Sequence, residues 1–149
     1  MKILNRIIAS IFTAASLTSC GLAILDGDAP AEDKGEHSIV ISGTVSDSQT
    51  NGPIVGIKIT MNAYGSGSAR TPLETTSTYT GINGIYEIKA DGFTEAIRCV
   101  ITAESPEDSF IPYEKASQEI NVNWSGPSYA SKENTFFAND CNFKLKRIR

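Results

Sequence analysis

From residue 37 onward, apolar and polar residues alternate at every second position in one segment after another. In residues 38–45, SIVISGTV, one face carries Ile39, Ile41 and Val45. Successive side chains of a strand point to opposite faces of its sheet, so this spacing predicts strands with one buried face. Further strands are predicted at 55–63, 73–80, 85–89, 96–103, 118–124 and 141–146. No segment shows the 3.6-residue spacing of an amphipathic helix.

Turn-forming residues separate these segments. Gly52 and Pro53 lie in the first turn, and the Asn83-Gly84 pair is a strong hairpin signal because both residues accept positive φ. About seven strands with such turns indicate an all-β, immunoglobulin-like or transthyretin-like sandwich over residues 37–149. The side chains expected to face its core are Ile39, Ile41, Val45, Ile57, Ile59, Tyr86, Ile88, Ile101, Val122, Phe143 and Leu145.

The first twenty residues have the layout of an export signal. Lys2 and Arg6 are followed by an uncharged apolar run from residue 7 to residue 17. The run is shorter than the about 20 residues of a spanning helix and fits a signal peptide. It ends in LTSC at residues 17–20, which resembles the lipobox of bacterial lipoproteins. The resemblance implies that residues 1–19 are a cleaved signal peptide and that fatty acids such as palmitate are attached through Cys20. An ordinary secretory signal, with Cys20 incidental, is the alternative.

The segment after Cys20 reads GLAILDGDAPAEDKGE and has no helical or strand period. We therefore predict an acidic, flexible tether over residues 20–36, and a coil of this length spans on the order of 20–24 Å. The acidic stretch resembles those that follow the lipid cysteine in surface-exposed lipoproteins of the Bacteroidetes. A plain soluble spacer is the alternative.

The charge of the mature chain limits its partners. Cleavage after residue 19 removes two of the 13 Lys and Arg residues and none of the 17 Asp and Glu residues, so the formal charge falls from −4 to −6. Proteins bind nucleic-acid phosphates through clusters of Lys and Arg. Because the mature chain is acidic, we expect no nucleic-acid partner. The lipid anchor predicts a cell-envelope location at the outer membrane, facing the periplasm or the cell surface.

Two motifs resemble a known family. The first is ISGTVSD at residues 41–47 followed by GPIVGIKI at 52–59, and the second is TGINGIYEI at 80–88. Together they look like the carboxypeptidase regulatory-like domain, a transthyretin-like sandwich, although Gly81 stands where that family has Asp. The resemblance implies a fold and an accessory role but no reaction. The plan of signal, short linker and one domain is also similar to Bacteroidales lipoproteins encoded near radical SAM enzymes.

Two cysteines remain once Cys20 is assigned to the lipid. In their predicted strands Cys99 shares a face with Ile101, and Cys141 shares a face with Phe143. We therefore predict that both sulfurs enter the same core and form a disulfide bond in an oxidising compartment. Two buried free thiols are the alternative.

Catalytic motifs are absent from the sequence. No nucleophile elbow, phosphate-binding loop or metalloprotease motif occurs. The only histidine, His37, is expected to be solvated where the tether meets the first strand, so neither a metal site nor a cofactor is predicted. Glu104, Glu107 and Asp108 offer paired carboxylates to a small envelope hydrolase, but a charged loop tip is the commoner role of such residues.

The leading functional hypothesis is a non-catalytic envelope lipoprotein, a structural or binding accessory module for an envelope protein partner. Trp124 and Tyr129 fall in loop-like sequence and are the candidate ligand-stacking residues. A carbohydrate-binding surface lipoprotein with a glycan ligand is therefore the first alternative, and a small envelope hydrolase is the second. Packing in the core is the competing role for both aromatic residues.

Overall fold

The computed structural model describes residues 36–65, 67, 70–95 and 97–149 of the chain. The predicted signal peptide, Cys20 and the tether up to residue 35 lie outside the described residues. None of the described residues belongs to a helix long and apolar enough to cross a membrane. The strands are β1 (His37–Asp47), β2 (Lys58–Tyr64), β3 (Glu74–Tyr79), β4 (Ile85–Phe93), β5 (Arg98–Glu104), β6 (Ala116–Asn121), β7 (Tyr129–Ala130), β8 (Thr135–Ala138) and β9 (Phe143–Leu145).

These strands form two sheets. The first has the order β4-β1-β8-β7, with β9 also paired to β1, and the second has the order β3-β2-β5-β6. Buried side chains from both sheets form one hydrophobic cluster. The predicted all-β sandwich is confirmed. Among the described residues there are nine strands instead of about seven, because β7 and β8 are too short to show an alternating pattern in the sequence.

Strand β1 lies at the centre of the first sheet. It pairs antiparallel with β4, where Ile41 is opposite Ile88. On its other side it pairs in parallel with β8 near residues 38–41 and with β9 near residues 45–47. The long alternating run of β1 fits this position, since its side chains can fill the core along the whole length of the strand.

The predicted core residues are buried. Each of the eleven side chains named from the alternation has at most 4% of its surface exposed. Met61 and Ala103 add to the centre of the cluster with no exposed surface. The two-residue period of the sequence therefore identified the buried face of the strands.

Two glycines of the family-like motifs have geometric roles. A Cβ on Gly43 would lie 2.1 Å from the backbone oxygen of Cys141, so only glycine allows the two segments to approach this closely. Next to this contact, the hydroxyl of Tyr86 donates a hydrogen bond to the same oxygen at 2.6 Å. Gly84 has a φ of 67°, and a Cβ there would lie 2.3 Å from the backbone oxygen of Val45.

The sandwich has two distinct ends. The chain enters at His37, the first residue of β1, and we call this the entry end. At the distal end, where β1 finishes at Asp47, three loops (48–57, 80–84 and 105–115) and residues 146–149 come together. Backbone hydrogen bonds join them, among them Gly56 N to Thr80 O at 2.9 Å and Ile148 N to Pro112 O at 3.0 Å.

Candidate functional site

Four aromatic rings meet at the entry end. The imidazole of His37 stacks on the indole of Trp124, with centroids 4.4 Å apart and planes 17° apart. Tyr129 approaches edge-on, with centroid distances of 5.5 Å to His37 and 5.8 Å to Trp124. Phe136 packs edge-on against Trp124 at 6.4 Å. We call these four residues the aromatic cluster.

Hydrogen bonds fix the orientation of the rings in this cluster. The Tyr129 hydroxyl lies 3.1 Å from Nδ1 of His37 and donates to Oδ1 of Asn134 at 3.1 Å. A hydroxyl has one hydrogen, so with Asn134 as its acceptor it accepts from the Nδ1–H of His37. Trp124 Nε1 donates to the backbone oxygen of Glu95 at 2.8 Å. The cluster therefore fastens the first residue of β1 to other segments at the entry end.

The prediction that His37 is a solvated boundary residue was wrong. Its side chain is half-buried and contacts two aromatic rings. Tyr129 lies 92 residues further along the chain, and no local pattern in the sequence links the two positions. Only the strand pairing, which sets Ser38 beside Thr135, brings them together.

The structure brings the two candidate ligand-stacking residues, Trp124 and Tyr129, into direct contact. One face of the indole is covered by the imidazole of His37. A sugar that stacks on Trp124 would therefore need the opposite face. Carbohydrate binding here remains a prediction, which a glycan array comparing the native chain with Trp124→Ala would test.

A cleft of about 680 Å³ adjoins the aromatic cluster. Its lining comes from β6, β7, β8 and the segment that follows β8, and includes Ile120, Phe137 and Cys141. The titratable side chains on the lining are those of Tyr129 and Cys141. Burial, and then the nearby charge of Asp140, raise the pKa of the Cys141 thiol. A thiol with a raised pKa stays protonated and weakly nucleophilic at neutral pH.

The predicted disulfide bond is not formed in the structure, where Cys99 and Cys141 are both buried free thiols. Cys99 lies in β5, opposite Ala63 of β2 and Ile120 of β6. Cys141 precedes β9 instead of belonging to it, and its Sγ lies 3.9 Å from the backbone oxygen of Ala138. The predicted burial of Cys141, Phe143 and Leu145 in alternation is confirmed, and both sulfurs belong to the same core, but the bond between them is not formed.

At the distal end, a network of hydrogen bonds surrounds the carboxylate of Asp47. This side chain is 2% exposed. One carboxylate oxygen accepts hydrogen bonds from the backbone of Gln49 at 2.8 Å and Thr50 at 3.1 Å. The other accepts from Arg147 Nε at 2.7 Å and from the Tyr113 hydroxyl at 3.3 Å. Chiefly because of the backbone bonds and then Arg147, the pKa of Asp47 falls to about 2. The carboxylate is fully used in structural contacts.

The acidic loop after β5 does not assemble a paired-carboxylate site around Glu104. Its carboxylate forms an ion pair with Lys115 at 3.1 Å. Glu107 and Asp108 are exposed, and neither forms an ion pair with another described residue. No group of three or more His, Cys, Asp or Glu side chains within the described part of the chain is arranged to hold a metal ion.

Comparisons with known proteins add little. No protein-family model matches the chain, and no curated protein matches it. One similar solved structure is 3-chlorocatechol 1,2-dioxygenase from Rhodococcus opacus 1CP, with 14% identity, a TM-score of 0.46, and coverage of 78% of this chain and 62% of that one. Another is the pilus 2b backbone protein of group B streptococcus, with 16% identity, a TM-score of 0.43, and coverage of 75% and 41%. The chain spans less than two thirds of either protein, and likenesses this distant carry no argument about function.

Proposed function

We propose that this protein is a lipid-anchored, non-catalytic binding module of the bacterial cell envelope, held at the outer membrane through Cys20. The observation that carries the proposal is the order of features in residues 1–20: two basic residues, an uncharged apolar run, then LTSC. The run is too short to span a bilayer but long enough for an export signal. Two or more acyl chains on one cysteine give stable anchoring, since each buried methylene contributes about 0.8 kcal/mol.

The architecture of the domain supports this role. The first strand of the domain begins at His37, and 16 residues separate it from Cys20. If these residues form the flexible tether predicted from the sequence, the domain would lie on the order of 20–24 Å from the lipid. The chain joins the domain at a residue that is stacked on Trp124 and hydrogen-bonded to Tyr129. A short tether and a firmly held entry point suit a module that presents a binding surface away from the membrane.

Metabolic labelling with a palmitate analogue tests the anchor. We expect label on the full chain, partition into the detergent phase and recovery with the outer membrane after density-gradient separation. Cys20→Ala should abolish the label and leave the uncleaved precursor, because signal cleavage follows lipid attachment. The matched control replaces both other cysteines, Cys99→Ala with Cys141→Ala, and should keep label and cleavage. The proposal would be contradicted if Cys20→Ala still carried the label. It would also be contradicted if the control variant lost the label.

A further inference from the structure

Strand β3 is an edge strand without the usual protection of an edge. It is the last strand of its sheet and pairs only with β2, in an unshifted register. Proteins prevent edge-to-edge association with charged side chains, bulges, proline or very short edge strands. Over its six residues, Glu74–Tyr79, β3 carries one charge, at its first residue, and no proline. This edge is therefore open to pairing with another strand.

Each of the other three sheet edges has a protecting feature. β4 carries the ion pair of Lys89 with Asp91 at 3.1 Å, and its register with β1 shifts near its end. β7 is two residues long. β6 is approached by the segment before β9, because Gln118 Nε2 donates to the backbone oxygen of Asn142 at 2.6 Å. Among the described strands, β3 thus offers the accessible edge.

The backbone of β3 shows which of its groups are open. Thr80 N donates to the backbone oxygen of Ile57 at 2.9 Å, in line with the register of β2 and β3. Bonding alternates along an antiparallel strand, so the N–H and C=O groups of Thr75, Ser77 and Tyr79 point away from β2. Within the described part of the chain, no backbone group pairs with them. Another extended polypeptide, and not a lipid or a glycan, offers donors and acceptors at this spacing.

These open groups are complementary to those of a second β3. In an antiparallel pair with Ser77 opposite Ser77 of the second copy, Thr75 of each strand lies opposite Tyr79 of the other. The open N–H and C=O groups of both strands are then all paired. The same register sets Thr76 opposite Thr78, and Thr–Thr and Thr–Tyr neighbours are favourable cross-strand pairs.

The charges of this region also fit a second copy. In the register centred on Ser77, Glu74 lies opposite Thr80 of the other copy, so the two carboxylates do not meet. The one charge of β2, Lys58, lies beside Tyr79, which places the two copies of Lys58 towards opposite ends of the joint sheet. Like charges directly opposite each other destabilise a strand pair, and this register has none.

Exposed apolar side chains flank β3 at both ends. Leu73, just before the strand, is 56% exposed, and Tyr79, its last residue, is 58% exposed. Antiparallel pairing brings the first end of one strand to the last end of the other, within diagonal reach for an aromatic ring. A second copy therefore covers both side chains. A strand from an unrelated protein would have to match the same donors, acceptors and side chains, which β3 matches with its own sequence.

We propose that two copies of this chain associate through antiparallel pairing of β3 with β3, about a two-fold axis at Ser77. The pairing joins the four-stranded sheets of the two copies into one continuous sheet. The contact uses the same strand of both copies, so it closes at a dimer. This inference goes beyond the lipid anchor and does not require it, because every residue it uses lies in the folded domain.

Disulfide trapping in intact cells of the native host tests the pairing. The full chain carries Ser77→Cys, or Ser117→Cys on β6 as the matched control on the opposite edge of the same sheet, and the cells receive a mild oxidant. Two cysteines form a disulfide only when their Cα atoms lie within about 7 Å. We expect a reducible adduct of twice the chain mass from position 77. Neither position 117 nor the native chain, in which Cys99 and Cys141 are buried, should give it.

Two differently tagged copies in the same cells test the register. Thr75→Cys in one copy and Tyr79→Cys in the other should form an adduct that carries both tags. Thr75→Cys in both copies should not, because the two positions are four residues apart along the joint ladder, roughly 13 Å.

A charge swap then separates loss of pairing from loss of fold. Ser77→Lys in both copies sets two ammonium groups opposite each other and should reduce the adduct between positions 75 and 79 roughly fivefold. Ser77→Lys in one copy with Ser77→Glu in the other should restore it, which a misfolded variant would not do.

The proposal would be overturned by the absence of an adduct from position 77, or by equal adducts from positions 77 and 117. An adduct with a different protein would show that another strand covers β3 and would also overturn it. So would a pair of Lys and Glu copies that crosslinks no better than two Lys copies. The lipid anchor is scored separately, by palmitate labelling of the same cells.

Discussion

The guanidinium of Arg147, near the end of the chain, donates through Nε to the buried carboxylate of Asp47 at 2.7 Å. The same guanidinium lies over the ring of Tyr113, 5.9 Å from its centroid. One side chain thus connects the last segment of the chain, the end of β1 and the loop after β5. Because Asp47 closes the first motif of the family-like sequence, this contact gives that position a structural purpose.

Acid should weaken the domain through Asp47. Its folded-state pKa of about 2 lies below the ordinary value of 3.8. Its contribution to stability is therefore present above pH 3.8 and is lost as the pH falls from 3.8 towards 2. Asp47→Asn should lower the free energy of unfolding at pH 7 and flatten its dependence on pH in that window. Urea unfolding followed at a series of pH values measures both effects.

The control for this prediction is Glu107→Gln, which removes a distal carboxylate that has no ion-pair partner among the described residues. It should leave the free energy of unfolding at pH 7 within about 0.5 kcal/mol of that of the native protein, as most surface changes do. A pH dependence in Asp47→Asn equal to that of the native chain would contradict the role assigned to Asp47.

Gly43→Ala should be strongly destabilising. The added methyl would lie 2.1 Å from the backbone oxygen of Cys141, and a backbone segment cannot move aside as easily as a side chain. We expect a loss of at least about 1–3 kcal/mol in the free energy of unfolding. Gly81→Ala is the matched control, because its nearest neighbour would be 3.8 Å from the new methyl. Equal midpoints for the two variants in urea would refute the close approach at Gly43.

The thiols of Cys99 and Cys141 should react slowly with alkylating reagents in the folded protein. Burial raises the pKa of Cys99 to about 12 and also raises that of Cys141. Alkylation with iodoacetamide at pH 8 should therefore be slow until denaturant is added. In chain purified without reductant and then unfolded, intact mass should increase by two adducts besides any at Cys20. No adduct on these two residues would show that the disulfide forms in solution.

The aromatic cluster predicts a fluorescence change, and Trp124 is the only tryptophan of the chain. His37→Ala uncovers one face of the indole, so quenching by acrylamide should increase and the free energy of unfolding should fall by about 0.5–1.5 kcal/mol. His37→Phe keeps a ring on that face and should retain most of the protection. If acrylamide quenches the Trp124 fluorescence of His37→Ala and His37→Phe equally, the stacking of residue 37 on Trp124 does not persist in solution.

The features of the fold that depend on local sequence patterns could be predicted from the sequence. Alternation located the buried faces of β1, β2, β4 and β5, because neighbouring positions alone decide which face a side chain takes. The turn at Gly84 was also predictable, since its positive φ is a local property. The same reasoning assigned Tyr129 to loop-like sequence, although it lies in β7.

The candidate site was less predictable because it depends on long-range pairing. β8 is four residues long and β7 is two, too short for a period to show. The stacking of His37 on Trp124 and the bond from Arg147 to Asp47 join residues far apart in the chain, so no window of sequence contains both partners.

The central position of β1 has a mechanical consequence. A pull on the tether at residue 36 acts along β1, which is hydrogen-bonded to β4 on one side and to β8 and β9 on the other. Such tension shears these ladders, so many hydrogen bonds must break together, whereas a pull across a hairpin opens them one at a time. If the proposed lipid anchor pulls on the start of β1, force on the domain passes first along a strand that resists extension.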